Sequence, residues 1–94
     1  MIFGGYIARW REAKGISVLD FSMATGIDRA LISKYERGKR LRSENHLNKM
    51  ANAMDLPLEQ VRKEYLADKI AKLLEYEVNP GEILMAAETR MEYL

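Results

Sequence analysis

The sequence predicts an all-α protein, and three observations carry that prediction. Apolar residues recur mostly at spacings of three and four, the helical period. The β-branched alternation that marks a strand is scarce. Only two prolines occur, Pro57 and Pro80, and each stands where a helix can begin. Ninety-four residues make one domain with a modest core, room for a few helices but not for a large catalytic cleft.

About six helices follow along the chain. The first is expected from about Phe3 to Lys14, with Phe3, Tyr6, Ile7 and Trp10 on its apolar face and Gly15 ending it. Ser17 is expected to cap the second, with Asp20 three residues on in an arrangement close to a capping box. That helix ends at Thr25, and Gly26 supplies the turn. Asp28 caps a third helix that runs to about Arg37 and stops at Gly38. Ser43 is expected to cap the fourth, which reaches Ala53 and turns Leu47, Met50, Ala51 and Met54 inward. Pro57 suits the first turn of a fifth helix, which extends to Glu75 with a break expected near Ala67 and Asp68. Asn79-Pro80-Gly81-Glu82 is a start signal for a last helix: Asn79 as cap, Pro80 at the first position, Glu82 near the positive end.

Charge is uneven along this frame. Residues 1–43 hold nine Lys and Arg against four Asp and Glu (net +5), and residues 44–94 hold six against ten (net −4). Charge alone fits a first half that meets a polyanion and an unevenly solvated surface equally well. The absence of cysteine excludes disulfides and thiolate metal sites. The start of the chain lacks the basic and apolar regions of a signal peptide, and the longest purely apolar run, Ile83 to Ala87, is too short to span a membrane. A cytoplasmic protein is the expectation.

The segment from Val18 to Tyr35 meets the demands of a tight helix-turn-helix. A small residue, Ser22, stands where the second helix crosses the first. Gly26 accepts the positive φ of the turn. Phe21, Ile27, Ile32 and Tyr35 occupy the apolar positions. These spacings are those of the DNA-binding form. Thr25 stands where a larger aliphatic residue would be usual. On the second helix of the pair, Arg29, Ala30, Ser33 and Lys34 share the face opposite Ile32 and Tyr35. Arg29 and Lys34 can donate to guanine O6 and N7, Ala30 can offer apolar contact to a thymine methyl, and Ser33 can reach a base or a phosphate. The plainer reading makes Arg29 and Lys34 ordinary solvated charges.

From Tyr6 to Leu58 the chain resembles the Cro/C1-repressor type of helix-turn-helix, the XRE family of bacterial regulators. The residues that carry the resemblance are Ile7-x-x-Trp10-Arg11-Glu12-x-x-Gly15-Ile16-Ser17, then Gly26-Ile27, then Ile32-Ser33-Lys34-Tyr35-Glu36-Arg37-Gly38-Lys39. Leu47-x-x-Met50-Ala51-x-Ala53-Met54-x-Leu56 resembles the fourth helix of that family and the turn into the fifth. The resemblance implies a lambda-repressor-like DNA-binding domain of about five helices, commonly dimeric on two-fold operators, here followed by an extra C-terminal helix or helical hairpin. It implies base reading by the residues at Arg29, Ala30 and Lys34. It also implies an ion pair between Arg11 and Glu36, partly buried, fixing the first helix against the third.

Ser17 and the amides that follow it are expected to face a phosphate, as helix N-termini do. Arg37, Lys39, Arg40 and Arg42 are expected to hold phosphates for affinity and register rather than for reading. The chain departs from the family at Val18, which often is a Gln bridging phosphate and base, and at Lys39 to Ser43, which lacks the usual Pro. That loop is therefore expected to be less rigid and more basic.

Other features are read plainly. His46, the single His, has no metal or catalytic partner and is expected at the surface or in a cap. Acidic residues after position 55 interleave with Lys and Arg at helical spacing, as on a solvated face. No phosphate loop, zinc spacing or nucleophile motif occurs, so neither enzyme activity, a metal nor a cofactor is expected. Trp10 and the six Met are expected in the core.

The organisation expected is a helix-turn-helix core over residues 1–58 and a helical extension over 59–94. The extension is expected to pack on the core and to serve as a candidate dimerisation element. One apolar stripe is Val61, Tyr65, Leu66, Ile70, Leu73 and Leu74; another is Leu84, Ala87, Met91 and Leu94. The functional expectation is a sequence-specific DNA-binding transcriptional regulator, a repressor that binds a two-fold operator in double-stranded DNA as a homodimer. The alternatives are an antitoxin or adaptor whose helical tail holds a protein partner, and the control protein of a restriction-modification system.

Overall fold

The computed structural model describes residues 2–94, and Met1 lies outside them. Six helices follow in order: α1 (Phe3–Ala13), α2 (Val18–Thr25), α3 (Arg29–Glu36), α4 (Asn45–Met54), α5 (Leu58–Leu74) and α6 (Pro80–Met91). No strand occurs among the described residues. α1 packs on α3 and α5, α2 on α3 and α4, and α4 on α5.

The core follows the apolar periodicity. Ile7, Phe21, Ile32, Tyr35, Leu47, Met50 and Val61 are its fully buried large side chains, one or two from each of the first five helices. Removing such a side chain from water is worth roughly 1.5–3 kcal/mol each. Tyr6, Trp10, Ile16, Val18 and Leu31 close over this cluster from its edge. The Trp10 and Phe21 rings stand 5.9 Å apart.

Two backbone features let the helices come so close. At Gly26 the chain turns from α2 toward α3 with φ +74°, a conformation that costs a glycine almost nothing. At Gly4, inside the first turn of α1, a Cβ would lie 2.0 Å from the carbonyl oxygen of Tyr35. The backbones of α1 and α3 therefore touch, and only a residue without a side chain fits there.

Side-chain caps start α2 and α3. Ser17 Oγ accepts the Asp20 amide at 3.0 Å, although the Asp20 side chain does not return the bond of a full capping box. Asp28 Oδ2 accepts the Ala30 amide at 3.1 Å. Two boundaries and one cap bond differ from the sequence expectation. Ser43 accepts the Asn45 amide at 3.2 Å, but the boundary residue of α4 is Glu44. Pro57 precedes α5 instead of forming its first turn, and its ψ of 138° keeps it outside the helix. Asn79 occupies the cap position of α6 without making a side-chain cap bond.

The break expected at Ala67 and Asp68 is absent, and α5 is continuous for 17 residues. Neither Gly nor Pro interrupts that span, so nothing breaks its hydrogen-bond ladder. A helix of that length runs about 25 Å, which carries its second half past the core. The extension meets the core through Val61 and Tyr65, and no residue after Tyr65 is buried. The methionines divide likewise. Met50 and Met54 are core residues, whereas Met23, Met85 and Met91 are exposed. Met23 lies on the outer face of α2, and α6 has no buried residue at all.

Candidate nucleic-acid interface

The α2–α3 unit is held from inside by short polar bonds. Thr25, the departure from a larger aliphatic, is buried, and its hydroxyl donates to the Phe21 carbonyl at 2.9 Å. The same oxygen accepts the Ile27 amide at 3.1 Å. Ser22 Oγ donates to the Ile27 carbonyl. The small polar residues thus satisfy the backbone at the turn, where a larger side chain could only pack.

With Ile32 and Tyr35 fixed in the core, the opposite side of α3 faces outward. Arg29, Ala30 and Lys34 are exposed there and Ser33 is half-buried. Beyond α3, Arg37, Lys39, Arg40 and Arg42 are all exposed. Lys34, Lys39, Arg40 and Arg42 border one shallow concavity of about 390 Å³. Ser17 is exposed at the start of α2; because its oxygen accepts the Asp20 amide, its hydroxyl proton is directed elsewhere. Val18 is partly buried against the core, which gives an apolar residue a packing role there.

Glu36 is turned away from these cations. Its carboxylate receives Arg11 Nε–H at 2.8 Å and Nη2–H at 2.9 Å, a two-pronged pair joining α3 to α1. Both side chains are nearly enclosed, 13% and 11% exposed. The remaining Arg11 Nη1 donates to the Ile16 carbonyl at 2.9 Å, so one guanidinium also ties down the α1–α2 turn. The hydrogen bond to Glu36 raises the Arg11 pKa against the opposing effect of desolvation, and the charges of Glu36 and Glu12 add to it.

The loop after α3 is held by two contacts that its spacing does not announce. Leu41 is buried among the basic residues. The Tyr35 hydroxyl, at the bottom of the loop, accepts the Arg42 amide at 3.0 Å and lies 2.8 Å from His46 Nδ1. His46 is therefore half-buried and bonded, not a free surface residue. Burial lowers its pKa, and the charges of Lys49 and Arg42 lower it further. The tyrosine oxygen accepts from Arg42, and with the proton of neutral His46 on Nε2 its Nδ1 accepts the tyrosine proton. The only sequence signal for this node is the pairing of a core Tyr with a lone His, eleven residues apart.

The arrangement offers hydrogen-bond donors and positive charge on the outer face of α3 and the turn that follows it. No group of three His, Cys, Asp or Glu that could hold a metal occurs among the described residues. No described helix is long and apolar enough to cross a membrane.

Comparison with known proteins agrees with this geometry. The helix-turn-helix family profile HTH_3 matches residues 7–61. No curated protein and no solved structure gives a significant match. The match runs from the middle of α1 to the start of α5, the stretch that holds most of the core and the exposed face of α3. That family is a DNA-binding regulatory one rather than an enzyme family. The chain belongs to the helix-turn-helix family HTH_3, the XRE and Cro/C1 type, with a lambda-repressor-like fold.

Proposed function

We propose that this protein is a sequence-specific, non-enzymatic repressor of transcription in the cytoplasm, binding a two-fold operator as a homodimer. The orientation of Glu36 carries this reading. The one carboxylate between Ser33 and Arg42 is bound inward by Arg11, so that stretch presents only donors and cations outward. Arg29, Ala30, Ser33 and Lys34 are positioned to read base edges in the major groove. Ser17, Arg37, Lys39, Arg40 and Arg42 flank that face, as groups that hold phosphates do. Selection of bound sites from random double-stranded DNA tests the proposal. Enrichment of two inverted half-sites whose centres lie about 34 Å apart, or a multiple of it, is the expected result. A pool without sequence enrichment overturns it.

A second reading has its own observation. Among the described residues, eleven of the fifteen exposed large hydrophobic ones lie after Tyr65, including Leu73, Tyr76, Val78, Met91 and Leu94. A surface this apolar suits a protein contact. In the repressor reading that contact is a second copy through residues 59–94. In the antitoxin or adaptor reading it is a different protein, and purification of a stoichiometric partner from the native cell separates the two.

A further inference from the structure

A cavity of about 380 Å³ opens between the basic turn after α3 and the second half of α5. Its lining includes none of Arg29, Ala30, Ser33 and Lys34, although it shares Tyr35, Lys39, Arg40 and Leu41 with the concavity beside α3. Its apolar wall is formed by Phe3, Leu41 and Tyr65, all buried residues. Phe3 and Tyr65 meet edge to face with ring centroids 5.5 Å apart, which fixes that wall. The far rim carries Leu73, a large apolar side chain left 78% exposed.

Around this apolar wall stand four cations. Lys39 and Arg40 come from the turn, and Lys69 and Lys72 from successive turns of α5. Asp68 is the one carboxylate in the lining. None of these five groups belongs to an ion pair among the described residues. Lys69 Nζ instead sits 5.1 Å from the centre of the Tyr65 ring, which holds its charge at the mouth of the cavity. A cavity of this size, apolar within and charged at its edge, is the usual form of a small-molecule site.

We propose that this cavity binds an amphipathic organic anion, of which a medium-chain carboxylate is the simplest case. Its apolar body lies on Phe3, Leu41 and Tyr65, and its carboxylate faces Lys39, Arg40, Lys69 and Lys72. Two of those cations are also assigned above to DNA phosphates, so an occupant of the cavity competes with DNA for Lys39 and Arg40. The competition rests on the DNA-binding reading; the binding site itself does not.

The test uses octanoate as probe, titrated into the full chain and followed by amide chemical shifts. Saturable shifts grouped at Gly4, Gly38, Leu41, Tyr65 and Lys72 are expected, with octanol bound at least fivefold more weakly and octylamine more weakly still. The double variant Lys69→Glu/Lys72→Glu, checked for unchanged helicity, is expected to lose at least tenfold in octanoate affinity. Absence of saturation, shifts centred on residues 76–94, equal binding of octanol, or an unaffected double variant overturns the proposal. Conversion of a dimer to a monomer by the double variant also overturns it, because the cavity then belongs to a contact between copies. Octanoate, against an acetate control, is expected to weaken DNA binding several-fold in the parent protein and not in the double variant. Octanoate binding without that effect overturns the competition alone, whereas a ligand-free protein that binds no DNA is a failure of the DNA reading.

Discussion

Arg11 holds Glu36 by two nitrogens, at 2.8 and 2.9 Å, and donates its third to the Ile16 carbonyl. One side chain therefore fixes α1 against α3 and the turn into α2. Removing either partner leaves a nearly enclosed charge without its counter-ion. Arg11→Ala and Glu36→Ala are each expected to cost about 2–4 kcal/mol of stability. Urea unfolding of both variants and of the double variant measures this, and the double variant is expected to lose less than the sum. Additive losses would show that the two side chains act separately.

Gly4 is expected to tolerate no side chain. A Cβ there overlaps the Tyr35 carbonyl oxygen at 2.0 Å and approaches backbone atoms of Glu36 at 2.9 Å, so a helix must move. Gly4→Ala is expected to destabilise by about 3 kcal/mol or more, although alanine is the better helix former. Gly81 provides the contrast, since a Cβ there meets nothing within 4 Å. Gly81→Ala is expected to leave the melting temperature of the core unchanged and to raise helicity slightly. Thermal unfolding followed by circular dichroism reads both.

Stability is expected to fall as pH drops through the titration of His46. Burial, with Lys49 and Arg42, holds its folded pKa below the ordinary 6.5. The unfolded chain then binds more protons than the folded one, so stability rises with pH across that window. The contribution is complete above about 6.5 and is lost as pH falls through the lowered folded value. His46→Gln is expected to flatten this slope in denaturant unfolding. Tyr35→Phe is expected to cost about 1–2 kcal/mol and to speed hydrogen exchange of the Arg42 amide.

The roles proposed for base reading and for phosphate gripping predict different DNA-binding phenotypes. Arg29→Ala is expected to relax specificity at one base position, costing roughly 1–3 kcal/mol against the preferred base. Lys39→Ala or Arg40→Ala is expected to weaken binding to all sequences alike and to reduce the salt slope by about 1. Titrations against the selected operator and a scrambled one, at several salt concentrations, separate the two. Unchanged base preference in Arg29→Ala would remove that residue from the reading set.

The exposed extension predicts a concentration-dependent association. Leu84 is 46% exposed and Leu94 fully so, so charge placed there leaves the core intact. Leu84→Glu with Leu94→Glu is expected to shift a dimer to a monomer in sedimentation and to weaken operator binding. A variant that stays dimeric would move the interface elsewhere.

By itself the sequence determined the helices and the helix-turn-helix within them. Ser17, Gly26 and Asp28 act through neighbours within a few residues, and the inward positions of α4 repeat at the helical period. Such signals are local, so they can be read along the chain. The outward placement of Arg29, Ala30 and Lys34 follows from the same period, because burying Ile32 and Tyr35 leaves them no other side. Tertiary structure decided what depends on residues far apart in the chain. The requirement for Gly4 is visible only once Tyr35 crosses it. The Pro-free basic loop is held by Leu41 and by the Tyr35 hydroxyl, and His46 is drawn into the same node. The apolar stripes of the extension look the same in sequence whether they face a core or not. α5 outruns the core that buries Val61 and Tyr65, so everything after them stays unburied within the single chain.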